Sequence, residues 1–175
     1  MKKLLIVVDF QNDFIDGSLG FLDARKLIDK IHDKIALYLD NGDDVIFTLD
    51  THDENYEKTK EGEKLPIRHC IKNTDGWKVN DKCNFLSSAK MVFEKDTFPS
   101  YKLASYLKDH PYDDVLLCGL VSNICVISNA IMVKSVLANA NIYIDASLTS
   151  SNDLVLQEKC FDVLEGLHID VINRQ

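Results

Sequence analysis

The chain has 175 residues, 46% of them hydrophobic, and a formal net charge of −8. That length suits one domain spanning 1–175 around one core, and that apolar share excludes wholesale disorder. The acidic residues are spread along the chain, which excludes nucleic acid as the partner because phosphate binding needs a basic face.

The first element is the apolar run 4–8, preceded by Lys2 and Lys3 and ended by Asp9. It is shorter than a secretory apolar region or a membrane span of about 20 residues, so it reads as a buried first strand. The spacing then predicts a helix over 23–40, with Leu27, Ile28, Ile31, Ile35 and Leu39 on one face and Asn41-Gly42 as its stop. Further apolar runs at 45–49, 91–93, 115–118, 142–144 and 169–172 are short, rich in Val, Ile and Leu, and do not alternate with polar residues, as expected of strands buried on both faces. Helices are predicted over 102–108, 123–137 and 152–164. The second of these is apolar on more than one side, which makes it a buried helix or part of a contact in a homo-oligomer. The order predicts a three-layer α/β/α domain on a mostly parallel six-stranded sheet. One long polar segment, 51–90, breaks the rhythm.

Five cysteines, an odd number with no C-x-x-C pair, argue against a disulfide scaffold or zinc ribbon. Reduced thiols imply a cytoplasmic protein.

Ligands of open α/β sheets bind outside the carboxyl ends of the strands. Those ends carry Asp9, then Asp50 with His52 two residues on, then Glu94-Lys95, then Gly119 with Cys125 after a short turn. Singly, Asp9 is a common turn residue, Lys95 a solvated charge and Cys125 a small core thiol. Together they form a nucleophile, a carboxylate base and a cation at one sheet edge. A helix start at Cys125 is expected to favour thiolate and to offer N–H groups to an oxyanion. Asp50 and His52 at i and i+2, with His69 returning from the long segment, are candidate ligands for a divalent metal: zinc, iron or manganese.

These residues resemble the nicotinamidase branch of the isochorismatase-like cysteine hydrolases over essentially the whole chain. Val8-Asp9-Phe10-Gln11-Asn12-Asp13-Phe14 is similar to that family's opening segment, and Thr48-Leu49-Asp50-Thr51-His52 to its metal-binding segment. Pro66-Ile67-Arg68-His69-Cys70 with Thr74-Asp75-Gly76, Phe93-Glu94-Lys95 and Gly119-Leu120-Val121-Ser122-Asn123-Ile124-Cys125-Val126 complete the pattern. The resemblance implies a cis peptide at Leu120-Val121 and an oxyanion hole from the Val121 and Cys125 N–H groups. It implies a small amide as substrate and conversion of nicotinamide to nicotinate and ammonia, a step of NAD salvage. A metal on Asp50, His52 and His69 would bind the pyridine nitrogen. Phe14, Trp77, Tyr101 and Leu120 are the expected substrate-binding residues. Cys125 argues against isochorismatase activity proper. Thr51-His52-Asp53 stands where nicotinamidases often carry W-H-P, in a loop that shapes the pocket. The alternatives are another amidase or carbamoyl hydrolase of the family, and a thiol-based binding or redox-sensing domain.

Overall fold

The computed structural model describes residues 1–174. Strands β1 (Lys3–Val8), β2 (Asp44–Asp50), β3 (Met91–Lys95), β4 (Asp114–Leu120), β5 (Asn141–Ser150) and β6 (Asp170–Ile172) form one sheet in the order β3-β2-β1-β4-β5-β6. Every ladder in it is parallel, where the sequence predicts a mostly parallel sheet. The order reverses on either side of β1, so β1 and its neighbours β2 and β4 flank the switch point where a crevice opens.

Alternate residues of β1 feed the two cores. Leu4, Ile6 and Val8 pack with Leu103, Leu107, Ala130, Val133, Phe161 and Leu164, from α5 (Tyr101–Asp109), α6 (Ile127–Val136) and α7 (Leu154–Gly166). Leu5 and Val7 face the other layer. That layer is built from α1 (Asn12–Ile15), α2 (Leu22–Arg25) and α3 (Ile28–Asp40) through Ile15, Ala24, Leu27, Ile31 and Ile35. Burying each such aliphatic side chain contributes about 1.5–3 kcal/mol.

The predicted helix 23–40 is broken into α2 and α3. Leu27 N–H donates to the Ala24 carbonyl three residues back (3.1 Å), a tightened turn that carries Leu27 into the core. The predicted helix 123–137 begins as a π-helical turn, Ser122–Val126, and is not buried on all sides, since Ile124 and Ile131 are exposed. The segment 51–90 holds a 3-10 turn at Tyr56–Lys58, helix α4 (Lys60–Lys64) and a second 3-10 turn at Asp81–Cys83. These pieces are too short for their periodicity to be read. Among the described residues no helix is long and apolar enough to cross a membrane. All five cysteines are free and buried.

Candidate active site

The site starts where β1 ends. Asp9 takes a left-handed backbone conformation (φ 46°) that leads the chain sharply away from the strand. Its side chain is fully buried, and Oδ1 accepts from the Thr48 hydroxyl at 2.7 Å. Next to it, Gly119 of β4 pairs with Val8 at φ +110°, and a Cβ there would overlap the Val8 carbonyl oxygen. Only glycine allows β4 to approach this closely before the chain turns toward Cys125. The Leu120-Val121 peptide is cis.

Lys95, the last residue of β3, reaches back into this cleft. Its Nζ lies 2.5 Å from Asp9 Oδ2, 3.4 Å from Asp50 Oδ1 and 3.6 Å from Cys125 Sγ, and it donates to the Thr97 carbonyl at 3.1 Å. Asp9 Oδ2 meets Lys95 as an ion pair and has no other donor, so it can still accept a proton. Burial raises the Asp9 carboxyl by more than the Lys95 charge lowers it. Desolvation would lower the Lys95 ammonium, but the carboxylates of Asp9 and Asp50 and the Cys125 sulfur around it outweigh that and hold it above its ordinary value.

Cys125 is 5% exposed. Burial pushes its thiol well above the ordinary value; Lys95 opposes this, while Asp9 and Asp50 add to it. The expected thiolate at a helix start is therefore corrected. The π-helical turn spans five residues, and the sulfur sits in a desolvated pocket beside two carboxylates, which favour the neutral thiol.

Beside this triad, Asp50, His52, Glu61 and His69 bring one donor atom each to within 4.8 Å of one another. Asp50 Oδ2 is 3.1 Å from His52 Nε2 and 3.3 Å from His69 Nε2, while Glu61 Oε1 is 3.8 and 3.7 Å from the same two nitrogens. His69 Nδ1 donates to the Ile67 carbonyl at 2.8 Å, which fixes the ring with Nε2 aimed at the cluster. Tyr56 packs on both imidazoles, with ring centroids at 4.6 and 4.9 Å, and its hydroxyl is tied to Leu65. Burial would raise the Asp50 carboxyl, but the two histidine hydrogen bonds and Lys95 outweigh it and keep it below the usual range, ionised and ready to ligate. Two imidazoles and two carboxylates on one point are a donor set that fits a divalent metal ion. Gln11, fully buried, brackets Asp50: its amide accepts from Asp50 N–H and donates to the Asp50 carbonyl, both at 2.8 Å.

A cavity of about 190 Å³ opens on both groups. Cys125 and Val121 line it together with Asp50, Glu61 and His69, and the rings of Phe14, Phe21 and Phe98 are part of the same lining. At about 30 Å³ per water it holds roughly six, the size of a single-ring ligand.

The isochorismatase domain model matches residues 3–175. The chain belongs to the isochorismatase family. It is 24% identical to the nicotinamidase of Saccharomyces cerevisiae over 98% of this chain and 100% of that one. It superposes on the nicotinamidase/pyrazinamidase PncA of Bacillus subtilis with a TM-score of 0.86 and 25% identity, covering 98% and 99% of the two chains. The N-carbamoylsarcosine amidase of Thermoplasma acidophilum matches at 0.80 and 26%, covering 98% and 95%. With this membership the chain is a hydrolase acting on amide bonds.

Within this isochorismatase-family site, three of the four expected substrate-binding residues stand away from the cavity walls. Trp77 belongs to the core layer beneath α1, with its indole N–H donated to Thr51 Oγ1 at 2.8 Å. Tyr101 is 77% exposed at the start of α5, and Leu120 is fully buried in packing. Phe14 alone of the four lines the cavity. Glu61, Phe21 and Phe98 were not anticipated. Glu61 lies in a charged run, Lys60-Glu61-Gly62-Glu63-Lys64, where nothing separates a ligand from a solvated acid. The bracketing amide of Gln11 did have a signal, since a buried polar residue just past a strand end needs partners.

Proposed function

We propose that the chain is a metal-containing cysteine amidohydrolase, a nicotinamidase that converts nicotinamide to nicotinate and ammonia through a thioester on Cys125. The observation that carries this reading is the meeting of Asp9 and Cys125 around the Lys95 ammonium, with Cys125 lining a small aromatic cavity. In the resting state the sulfur is a thiol and Asp9 an anion stabilised by Lys95. As Sγ attacks the amide carbon, Asp9 takes the thiol proton, and the Val121 and Cys125 N–H groups hold the oxyanion. Asp9 returns that proton to the leaving nitrogen and ammonia departs. Asp9 next takes a proton from water as its oxygen attacks the thioester, the C–S bond breaks to free the acid, and Asp9 gives that proton to the departing Cys125 sulfur, restoring the thiol. Lys95 keeps its proton throughout and limits the charge that builds up on Asp9.

Asp50, His52 and His69, with Glu61, would hold the metal, for which zinc suits the imidazole-rich set; iron and manganese also suit it. A bound divalent ion supplies a Lewis-acid docking point for a ring nitrogen. The phenyl walls of Phe14, Phe21 and Phe98 suit a flat ring. The free cysteines are consistent with a reducing, cytoplasmic setting.

A second reading, cleavage of a carbamoyl group, draws on the likeness to the Thermoplasma amidase. The test is ammonia release from nicotinamide, pyrazinamide and a set of ureido acids by the metal-loaded protein and by Cys125→Ala. Turnover of the pyridine amide with loss in the variant supports the proposal. Turnover of ureido acids alone transfers it to the second reading. No turnover of any of them leaves a thiol-based binding domain.

A further inference from the structure

We propose that Asn129 is a positioning residue that fixes the nucleophile and the Phe98 wall of the cavity relative to each other. This rests on the reading of Cys125 as nucleophile.

Asn129 lies one turn beyond Cys125, on α6, and is fully buried. Its Nδ2 donates to the Cys125 carbonyl at 2.8 Å and to the Phe98 carbonyl at 3.1 Å, and its Oδ1 accepts from Ser100 N–H at 2.9 Å. Two carbonyls can only accept and one backbone N–H can only donate, so the partners themselves set which way the amide faces. Three of the four hydrogen bonds an Asn side chain can make are used, all to backbone: one to the turn just before it and two to the distant loop 97–100.

The two segments joined are the ones whose relative placement matters. The Cys125 carbonyl belongs to the π-helical turn, where the backbone departs from regular i→i−4 bonding: Val126 N–H reaches the Val121 carbonyl five residues back. Such a turn is held by its surroundings rather than by its own ladder. The loop 97–100 supplies the Thr97 carbonyl to Lys95, the Phe98 ring to the cavity and the Ser100 cap of α5. Asn129 therefore ties sulfur, ammonium and aromatic wall into one frame. Its loss should shift the sulfur against the substrate carbonyl and loosen the wall against the ring.

The two halves of the clamp can be separated. Asn129→Ala removes all three bonds. In Asn129→Thr the hydroxyl can bond the carbonyl four residues back, that of Cys125, and is too short for Phe98 and Ser100. The measurement is kcat per titrated Cys125, KM for a ring amide and for a small aliphatic amide, and the melting temperature. The expected result for Asn129→Ala is kcat lower by about a hundredfold, as for a nucleophile displaced by about an ångström. Asn129→Thr should recover most of kcat while KM for the ring amide stays about tenfold high and that for the aliphatic amide does not. A lower melting temperature with kcat per titrated thiol unchanged in both variants would make Asn129 merely structural and overturn the proposal. Failure of Asn129→Ala to fold leaves Asn129→Thr to decide by the same KM split. If the wild-type protein cleaves no amide, the nucleophile reading fails on its own. The clamp is then judged by the alkylation rate of Cys125, expected to rise about tenfold in Asn129→Thr as the thiol becomes accessible, and equal to wild type if the clamp is idle.

Discussion

Lys95→Met keeps the length and apolar stem of the side chain and deletes only the charge. The ammonium it removes is buried among Asp9 at 2.5 Å, Asp50 at 3.4 Å and the Cys125 sulfur at 3.6 Å. Breaking a buried pair by removing one partner costs about 3–5 kcal/mol, because the remaining charge is left uncompensated. The protein can limit that cost by protonating Asp9. From the ordinary value of 3.8, carrying a proton at pH 7 costs at most about 4 kcal/mol at 1.36 kcal/mol per unit, so a loss of about 3–4 kcal/mol is expected. The sign with pH follows. Asp9 is already raised by burial, so the stability gained from its neutral form is complete below 3.8 and is lost as pH rises through its folded value. Without Lys95 the folded value climbs further. The gap between variant and wild type should then be widest near pH 7 and close toward pH 4. Urea unfolding of metal-free protein across that range measures it, and kcat/KM for nicotinamide should fall by about a hundredfold or more with the base neutral. A gap under about 1 kcal/mol at pH 7, with kcat/KM within tenfold of wild type, would refute the electrostatic account of the triad.

The acid limb of kcat/KM should lie above 3.8, because Asp9 is raised and must be ionised to take the thiol proton; no gain is expected on crossing the ordinary thiol range, since the thiol form is the resting one. His52→Ala should lower metal content, read by atomic emission, and raise KM for nicotinamide far more than it lowers kcat, because three members of its cluster line the cavity and none is the nucleophile or base. Glu61→Gln should weaken metal affinity by about tenfold in a competition titration while leaving the fold intact. Gly119→Ala should cost more than about 1 kcal/mol in urea unfolding, because a Cβ at φ +110° meets the Val8 carbonyl.

The sheet was legible because a strand buried on both faces has no reason to alternate, and all six apolar runs proved to be strands of the ladder. The helix boundaries were less so. Nothing in the apolar spacing around Leu27 marks the tightened turn that separates α2 from α3, since both halves keep the same face inward. Asp9, Asp50, Lys95 and Cys125 could be found because they stand at strand ends, where topology alone brings distant residues together. Glu61 and Phe98 could not, because they come from connecting segments whose course is set by contacts such as Asp13 on Cys70 N–H (2.7 Å) and Asn129 on Ser100 N–H (2.9 Å). The aromatic residues mislead for a related reason: Phe14 of α1 and Trp77 of the long segment both pack against the same core cluster, and nothing in their spacing tells that Phe14 alone also lines the cavity. The charge state of Cys125 was misread because a helix start near a thiol is visible in sequence and its desolvation is not.

The most direct test of the central claim is an acid-quenched intact-mass measurement during turnover of nicotinamide, with the modified peptide mapped. The account predicts an acyl adduct on Cys125 and neither adduct nor ammonia from Cys125→Ala. Ammonia released by that variant at the wild-type rate, or an adduct on any other cysteine, would contradict it.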